Sequence, residues 1–327
     1  MEVLVTGAAG YIGSVVTEEL IEQGYSVIAL DNLKRGHRQA IAPEATFVQA
    51  DLGNAREIEE VFQSFSINSV IHLAAESTIE YSMTDPGIYF HSNVVCGMNL
   101  LDIMREHGVR KFIFSSTAAV YGEPSILPIE ESAATKPVNS YGESKLMFER
   151  ILNWYEYAYG INYISLRYFN AAGASQRFGE DHDPETHLIP NVLKVASGRA
   201  DHIPVFGTDY PTKDGSCIRD YVHVLDIAQA HLLSLEYLGK DGLNKIFNLG
   251  NGDGYSVFEV IEAAKMITRA EIPVAVHPRR EGDPPILVAN SSLAESEMGW
   301  CPRYSGIETI IESAWEWRRR YPDGYET

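Results

Sequence analysis

The chain has 327 residues, of which 45% are hydrophobic and 22% charged, enough for a substantial core in two domains or in one large domain with an annex. A formal net charge of −19 argues against a nucleic-acid partner, which would need a clustered basic face. Strand-like residues begin at Glu2, leaving no room for a signal peptide, and no apolar run approaches the roughly 18 residues of a membrane span.

Short β-branched runs over 3–5, 27–30, 46–49, 70–73, 111–114 and 163–166 predict strands. Helices are expected over 11–23, 54–65, 86–107 and 140–159 between them. The strand runs are apolar with little alternation, the pattern of a parallel sheet buried on both faces. Strand–helix repetition of this kind predicts an α/β fold with a doubly wound parallel sheet. After Asn170 the texture becomes polar and turn-rich, so residues 1–169 and 170–327 are expected to form a first domain and a smaller second one. The runs 222–224 and 246–249 read as strands returning to the main sheet. Arg318, Arg319 and Arg320 read as the solvated end of a terminal helix, with charge that suits its dipole.

Thr6-Gly7-Ala8-Ala9-Gly10-Tyr11-Ile12-Gly13 follows the first strand and opens the first helix. Glycines at that place serve a tight turn and close backbone approach to a pyrophosphate, and the helix N-terminus offers free N–H groups to it. The spacing is G-x-x-G-x-x-G rather than the commoner G-x-G-x-x-G of Rossmann proteins. Asp31 ends the second strand 18 residues after Gly13, where a carboxylate accepts ribose hydroxyls and repels a 2′-phosphate. That points to NAD, although Lys34 and Arg35 stand close enough to hold a phosphate. Asp51, after the third strand, suits either an adenine edge or a cap of the next helix.

Tyr141 and Lys145 stand at i and i+4 near the start of a long helix and share one face. A nearby ammonium would lower the phenol pKa and let Tyr141 act as a general base; the alternative is a chance pair on a solvated helix face. Thr117 ends the fifth strand at the edge where such sheets bind ligands, placed to orient a reacting oxygen; the alternative is a polar strand terminus. Cys96, Cys217 and Cys301 are odd in number and show no C-x-x-C spacing, so a reduced, cytoplasmic protein without a metal site is expected.

Over its whole length the chain resembles the UDP-glucose 4-epimerase family within the extended short-chain dehydrogenases/reductases. The resemblance rests on the glycine turn, Leu30-Asp31-Asn32-Leu33, Phe112-Ile113-Phe114-Ser115-Ser116, Tyr141-Gly142-Glu143-Ser144-Lys145 and Leu166-Arg167-Tyr168-Phe169-Asn170. In the second half it rests on Asp209-Tyr210-Pro211-Thr212, Arg219-Asp220-Tyr221-Val222-His223-Val224 and Pro278-Arg279-Arg280-Glu281-Gly282-Asp283. It implies a Rossmann domain with a smaller α/β substrate-binding domain, and Tyr141, Lys145 and Thr117 as catalytic residues. It implies NAD contacts from Gly7, Gly10, Tyr11, Ile12, Gly13, Asp31, Asn32, Asp51, Leu52, Asn93, Tyr141, Lys145, Tyr168 and Phe169. It implies a UDP-sugar site of Thr117, Asn170, His187, Leu188, Val205, Phe206, Arg219, Arg280, Asp283 and Leu287.

For Arg219 and Arg280 the alternative is a structural ion pair with Asp220 or Asp283. Two departures stand out: Ser77 occupies the place of a lysine common in relatives, and Leu287 that of a tyrosine which closes the sugar site in strict galactose/glucose enzymes. Leu287 admits an N-acetylated UDP-hexose as an alternative substrate, with UDP-glucuronate a more distant one. The family commonly forms homodimers through two helices per subunit, here 86–107 and 140–159.

Overall fold

The computed structural model describes residues 1–240, 244–280 and 283–325. Its first half lays down β1 (Glu2–Thr6), α1 (Tyr11–Glu22), β2 (Ser26–Asp31), β3 (Thr46–Gln49), α2 (Ala55–Ser64) and β4 (Ile67–His72). There follow α3 (Ile79–Thr84), α4 (Pro86–Phe90), α5 (Cys96–Glu106), β5 (Lys111–Thr117), α6 (Ser140–Tyr159) and β6 (Asn162–Tyr168). The second half carries β7 (Asn170–Ala172), α7 (Leu188–Ala196), β8 (Ile203–Phe206), β9 (Ile218–His223), α8 (Val224–Gly239) and β10 (Lys245–Leu249). It ends with β11 (Gly254–Ser256), α9 (Val257–Thr268), β12 (Val274–His277), β13 (Ile286–Leu287), α10 (Ser292–Met298) and α11 (Ile307–Arg320).

Seven strands form one parallel sheet in the order β10-β6-β5-β4-β1-β2-β3. Strand side chains alternate between its two faces. Val3 and Val5 join Ala29, Ile71, Ile113 and Ile164 in the core shared with α1 and α8. Leu4 joins Ile28, Val70, Phe112 and Phe114 in the core shared with α2, α5 and α6. Both faces are therefore apolar, which is why these strands read as unbroken hydrophobic runs. The strand order reverses between β1 and β4, and a cleft opens there above the carboxyl ends.

The second half builds its own core from α7, α9, α11 and strands of two small sheets. One holds β11-β9-β13 with β7 on β9, and the other is the parallel pair β8–β12. The run 246–249 does return to the main sheet, as β10 beside β6. The run 222–224 does not: Val222 and His223 end β9 in a small sheet, and Val224 opens α8. The reason is β7, which pairs with β9 through Asn170↔Tyr221 immediately after β6 ends and so draws β9 away from the main sheet.

Two further expectations change. The segment 86–107 is not one regular helix, because a π-helical turn at His91–Val95 joins α4 to α5. Arg318 is not solvated. It is 7% exposed, and it donates to the Glu180 carbonyl and pairs with Asp181.

Candidate active site

The glycine turn is built for close approach. Gly7 has φ +72°, and a Cβ on Gly13 would lie 2.0 Å from the Gly7 carbonyl oxygen, so neither position accepts a side chain. Gly10 begins α1 without any side-chain cap, which leaves the first-turn N–H groups to a ligand. These features fit the pyrophosphate of a dinucleotide.

Asp31 at the end of β2 accepts the Ala9 N–H at 2.9 Å and the Leu33 N–H at 2.8 Å. Burial pushes its carboxyl up in pKa, and those backbone donors pull against it. Lys34 donates to Asp51 at 2.7 Å, while Arg35 reaches the Asp183 carbonyl and lies 3.6 Å from Glu76. Asp51 also accepts from Asn32 and Gly53, and its carboxyl is held below the usual range chiefly by Lys34. Asn54 is the N-cap residue of α2, so Asp51 does not cap that helix.

One cleft of about 1270 Å³ runs from this turn to the second half of the chain. Every residue predicted for the site lines it except Asn93. Asn93 is 1% exposed, and its amide is used up inside the wall. It accepts from Glu76 N–H at 2.8 Å and donates to the Glu76 carbonyl and the Ser144 hydroxyl, each at 3.0 Å. It fastens the loop after β4 to α6 and so shapes the cleft from behind. Ser77, in that loop, lines the cleft.

At the middle of the cleft β5 and α6 deliver the residues predicted to transfer the proton, Thr117, Tyr141 and Lys145. Asn139 caps α6 by accepting the Gly142 N–H at 2.8 Å, which sets Tyr141 and Lys145 on consecutive turns. Lys145 is 2% exposed, and its Nζ donates to the Ser115 carbonyl at 2.7 Å. Burial pushes Lys145 down to about 7, with the Glu149 carboxylate opposing. Burial pushes the Tyr141 phenol up to about 12, against a hydrogen bond with the Thr117 side chain. The expected depression of Tyr141 by Lys145 is thus not present in the protein alone. Loss of water outweighs every local charge, and the ammonium is engaged with a carbonyl. Tyr168 flanks the site, its hydroxyl 2.6 Å from His231 Nε2.

The far end of the cleft is arginine-lined. Arg219 donates to the Ile218 and Pro284 carbonyls at 2.9 and 2.8 Å and pairs with Asp283 at 3.3 Å. Asp220 takes no part in that pair: it accepts the N–H groups of Asn251, Gly252 and Ala289. Arg280 lies 3.9 Å above the Phe206 ring centre. Leu287 of β13 is in register with Arg219. His187 lines the cleft, with its Nδ1 directed at Glu180 and Glu185.

Sequence reasoning missed Glu180, His182 and Glu185, which gather around His187. The available signal was a repeated Glu-x-His, at Glu180/His182 and at Glu185/His187. It also missed Asp220 as the clamp of the 250–252 turn, because nothing in a lone aspartate announces three backbone donors.

Comparison with known proteins agrees with this architecture. The chain is 50% identical over 329 aligned residues to a UDP-glucose 4-epimerase of Halalkalibacterium halodurans, covering 100% of this chain and 98% of the relative. It superposes on a crystal structure of a UDP-glucose 4-epimerase with a TM-score of 0.98 at 48% identity, covering 100% of both chains. It superposes on the UDP-glucose 4-epimerase of Bifidobacterium longum, solved in complex with NAD+ and UDP, with a TM-score of 0.94 at 37% identity, covering 99% of this chain and 100% of that one. Residues 3–250 match the model of the NAD dependent epimerase/dehydratase family, and the chain belongs to that family.

Proposed function

We infer that the protein is an NAD-dependent isomerase that inverts C4 of a UDP-hexose, interconverting UDP-galactose and UDP-glucose through a transient 4-keto sugar. The observation that carries this is the placement of Tyr141 and Thr117 in one cleft, between the glycine turn and the Arg219/Arg280 end. Full-length similarity to UDP-glucose 4-epimerases favours this pair of sugars over N-acetylated or glucuronate substrates.

When bound by the glycine turn and Asp31, NAD would supply reversible hydride transfer at C4, and a turn of the 4-keto sugar within the cleft would present its opposite face for the return. Tyr141 takes the O4 proton and later gives it back. Thr117 orients O4 by a hydrogen bond, and Lys145 supports the phenol electrostatically. Asp31 and Asn32 would hold the adenosine ribose, Asp51 and Leu52 the adenine, and Tyr168 and Phe169 the nicotinamide end of the cofactor. Arg219 and Arg280 contact the UDP diphosphate, for which arginine is suited. Asn170, Leu188, Val205, Phe206, Asp283 and Leu287 surround the nucleotide and sugar.

The same reading divides the chain into a cofactor-binding portion, 1–169 with β10 returning to its sheet, and a mainly substrate-binding portion, 170–327. It makes the protein a cytoplasmic enzyme of galactose metabolism. It also makes it a homodimer through the 86–107 and 140–159 segments, supported by Val95, Met147, Trp154 and Tyr157 being exposed there. Light scattering of the purified chain tests the dimer, and a monomeric mass at micromolar concentration would refute it.

The decisive experiment is incubation of the purified chain with UDP-galactose, with and without added NAD, and resolution of the products. UDP-glucose is the expected product. Failure to form it under both conditions would overturn the assignment.

A further inference from the structure

The segment that opens onto α7 carries four groups outside the proton-transfer site. His187 Nδ1 lies 2.8 Å from Glu180 Oε1 and 2.9 Å from Glu185 Oε1. His182 Nδ1 lies 3.2 Å from Glu180 Oε1 and 3.8 Å from Glu185 Oε2. One ligand atom from each residue falls within 4.8 Å of all the others. Both carboxylates are withdrawn from solvent: the Glu180 side chain is 7% exposed and that of Glu185 1%. Glu185 Oε2 is fully buried and has no hydrogen-bond partner among the described residues. A buried carboxylate oxygen without a donor is costly, and such an atom calls for an explanation.

We propose that Glu180, His182, Glu185 and His187 together bind one divalent cation of the zinc class. Two imidazole nitrogens and two carboxylate oxygens are a donor set for a borderline transition metal, not for calcium or magnesium. With metal–ligand bonds of ~2.0–2.1 Å, a tetrahedral site spaces its ligand atoms ~3.3 Å apart. The nitrogen–oxygen separations of 2.8 to 3.8 Å lie around that value, and no pair of ligand atoms is more than 4.8 Å apart, so the groups surround one point and binding draws the farther atoms in by about 1 Å. A doubly charged ion balances the two carboxylates and gives Glu185 Oε2 its missing partner.

The ion is structural, with all four positions taken by protein. His187 immediately precedes α7, whose first residue, Leu188, lines the cleft. The His182 ring meets Tyr11 edge-on at 6.3 Å, and the Tyr11 hydroxyl donates to the Gly173 carbonyl at 2.6 Å. The cation thus fastens the cleft wall between the glycine turn and the arginine-lined end. This inference is independent of which sugar the enzyme acts on.

The test uses the full chain, freed of metal with a chelator and titrated calorimetrically with zinc chloride. One equivalent should bind per chain and raise the melting temperature, and cobalt(II) should give the visible bands of four-coordinate nitrogen/oxygen ligation. Glu185→Gln and His182→Gln should each weaken zinc binding at least roughly ten-fold, while their melting in chelator stays near that of the parent. Substoichiometric binding, or affinity unchanged in both variants, would overturn the proposal. Anomalous diffraction at the zinc edge from crystals of the unmodified chain needs no variant. A peak bonded to these four residues supports the site, and a zinc-soaked crystal without one refutes it.

Discussion

Glu149 and Arg167 form a buried two-point ion pair one turn beyond Lys145 on α6. Arg167 Nε meets Glu149 Oε1 at 3.0 Å and its terminal nitrogen meets Oε2 at 2.7 Å, with the side chains 4% and 2% exposed. The Ser116 hydroxyl donates to the same carboxylate at 2.6 Å, and Arg167 also donates to the Tyr121 hydroxyl at 2.8 Å. The pair ties β5, β6 and α6 together beneath the reacting residues. Removing one partner strands a charge in the core, which costs about 3–5 kcal/mol, whereas replacing both by apolar groups costs far less. Glu149→Ala should therefore lower the unfolding free energy by about that amount. The double variant Glu149→Leu with Arg167→Met should recover most of it. Urea denaturation of the three proteins decides, and a double variant as unstable as the single one would contradict the stranded-charge account.

Tyr141→Phe removes the only hydroxyl of the Tyr141/Lys145 pair while keeping the ring. Epimerisation should fall by roughly 10²- to 10⁴-fold, the usual range for a lost general acid–base. The ring still fills its place beside Thr117, so UDP binding should change little. Steady-state kinetics and UDP calorimetry on the same preparation separate these effects. Turnover within ten-fold of the parent would remove Tyr141 from its proposed role.

The main sheet was legible because its strands are apolar on both faces, a signal that needs no tertiary knowledge. That Tyr141, Lys145 and Thr117 share one cleft was legible because their spacing and strand-end placement are local. Asn93 was misread because sequence does not say which way a buried amide turns, and here Glu76 and Ser144 claim it. The destination of β9 was misread because it is set by β7, a three-residue strand too short to show a pattern. The Tyr141 pKa was misread because desolvation depends on everything packed around the phenol, while the Lys145 ammonium was the only term visible in the chain.

Three histidines are buried without charge. His223 and His231 are pushed down to about 4 and His72 to about 3, in each case first by loss of water. Their ordinary value is about 6.5, so between that pH and the folded values the unfolded chain binds more protons. Stability therefore falls as pH drops through this window, by up to about 1.4 kcal/mol per unit per histidine. Asp220, pushed up to about 6, acts in the opposite sense above the ordinary aspartate range and offsets one of the three. His231→Gln should reduce the pH slope of the unfolding free energy between 6.5 and 4 by up to about one proton. Parallel slopes for parent and variant would show that His231 does not titrate as placed.

Leu287 tests the sugar end. It lines the cleft and packs against the small core of Ala118, Tyr121 and Phe169. Leu287→Tyr adds bulk and a hydroxyl to the wall, so it should penalise a larger C2 substituent more than a C2 hydroxyl. A discrimination of roughly 10-fold is reasonable for one altered wall contact. The measurement is kcat/KM for UDP-galactose and for UDP-N-acetylgalactosamine in both proteins. An equal effect on the two substrates would place Leu287 away from C2.

The last prediction concerns the choice of dinucleotide. Lys34 and Arg35 are the cations nearest Asp31 in sequence, and either could in principle hold a 2′-phosphate. In the fold Lys34 is paired with Asp51 at 2.7 Å and Arg35 lies 3.6 Å from Glu76, so each is already matched with a carboxylate. Asp31 is 8% exposed and fixed by the Ala9 and Leu33 N–H groups, so it cannot swing away from the ribose. NADP should therefore fail to replace NAD in cofactor-stripped protein. Replacing Asp51 alone with Asn should free Lys34 and leave the Asp31 charge in place, giving little NADP binding. Adding Asp31→Ala should then remove the repulsion and let Lys34 reach the phosphate, shifting the NAD/NADP preference by roughly 10-fold or more, since a charge-assisted contact replaces a like-charge clash. Competitive fluorescence titration of the stripped single and double variants reads this directly. NADP binding by the parent at NAD-like affinity would show that Asp31 does not govern the choice.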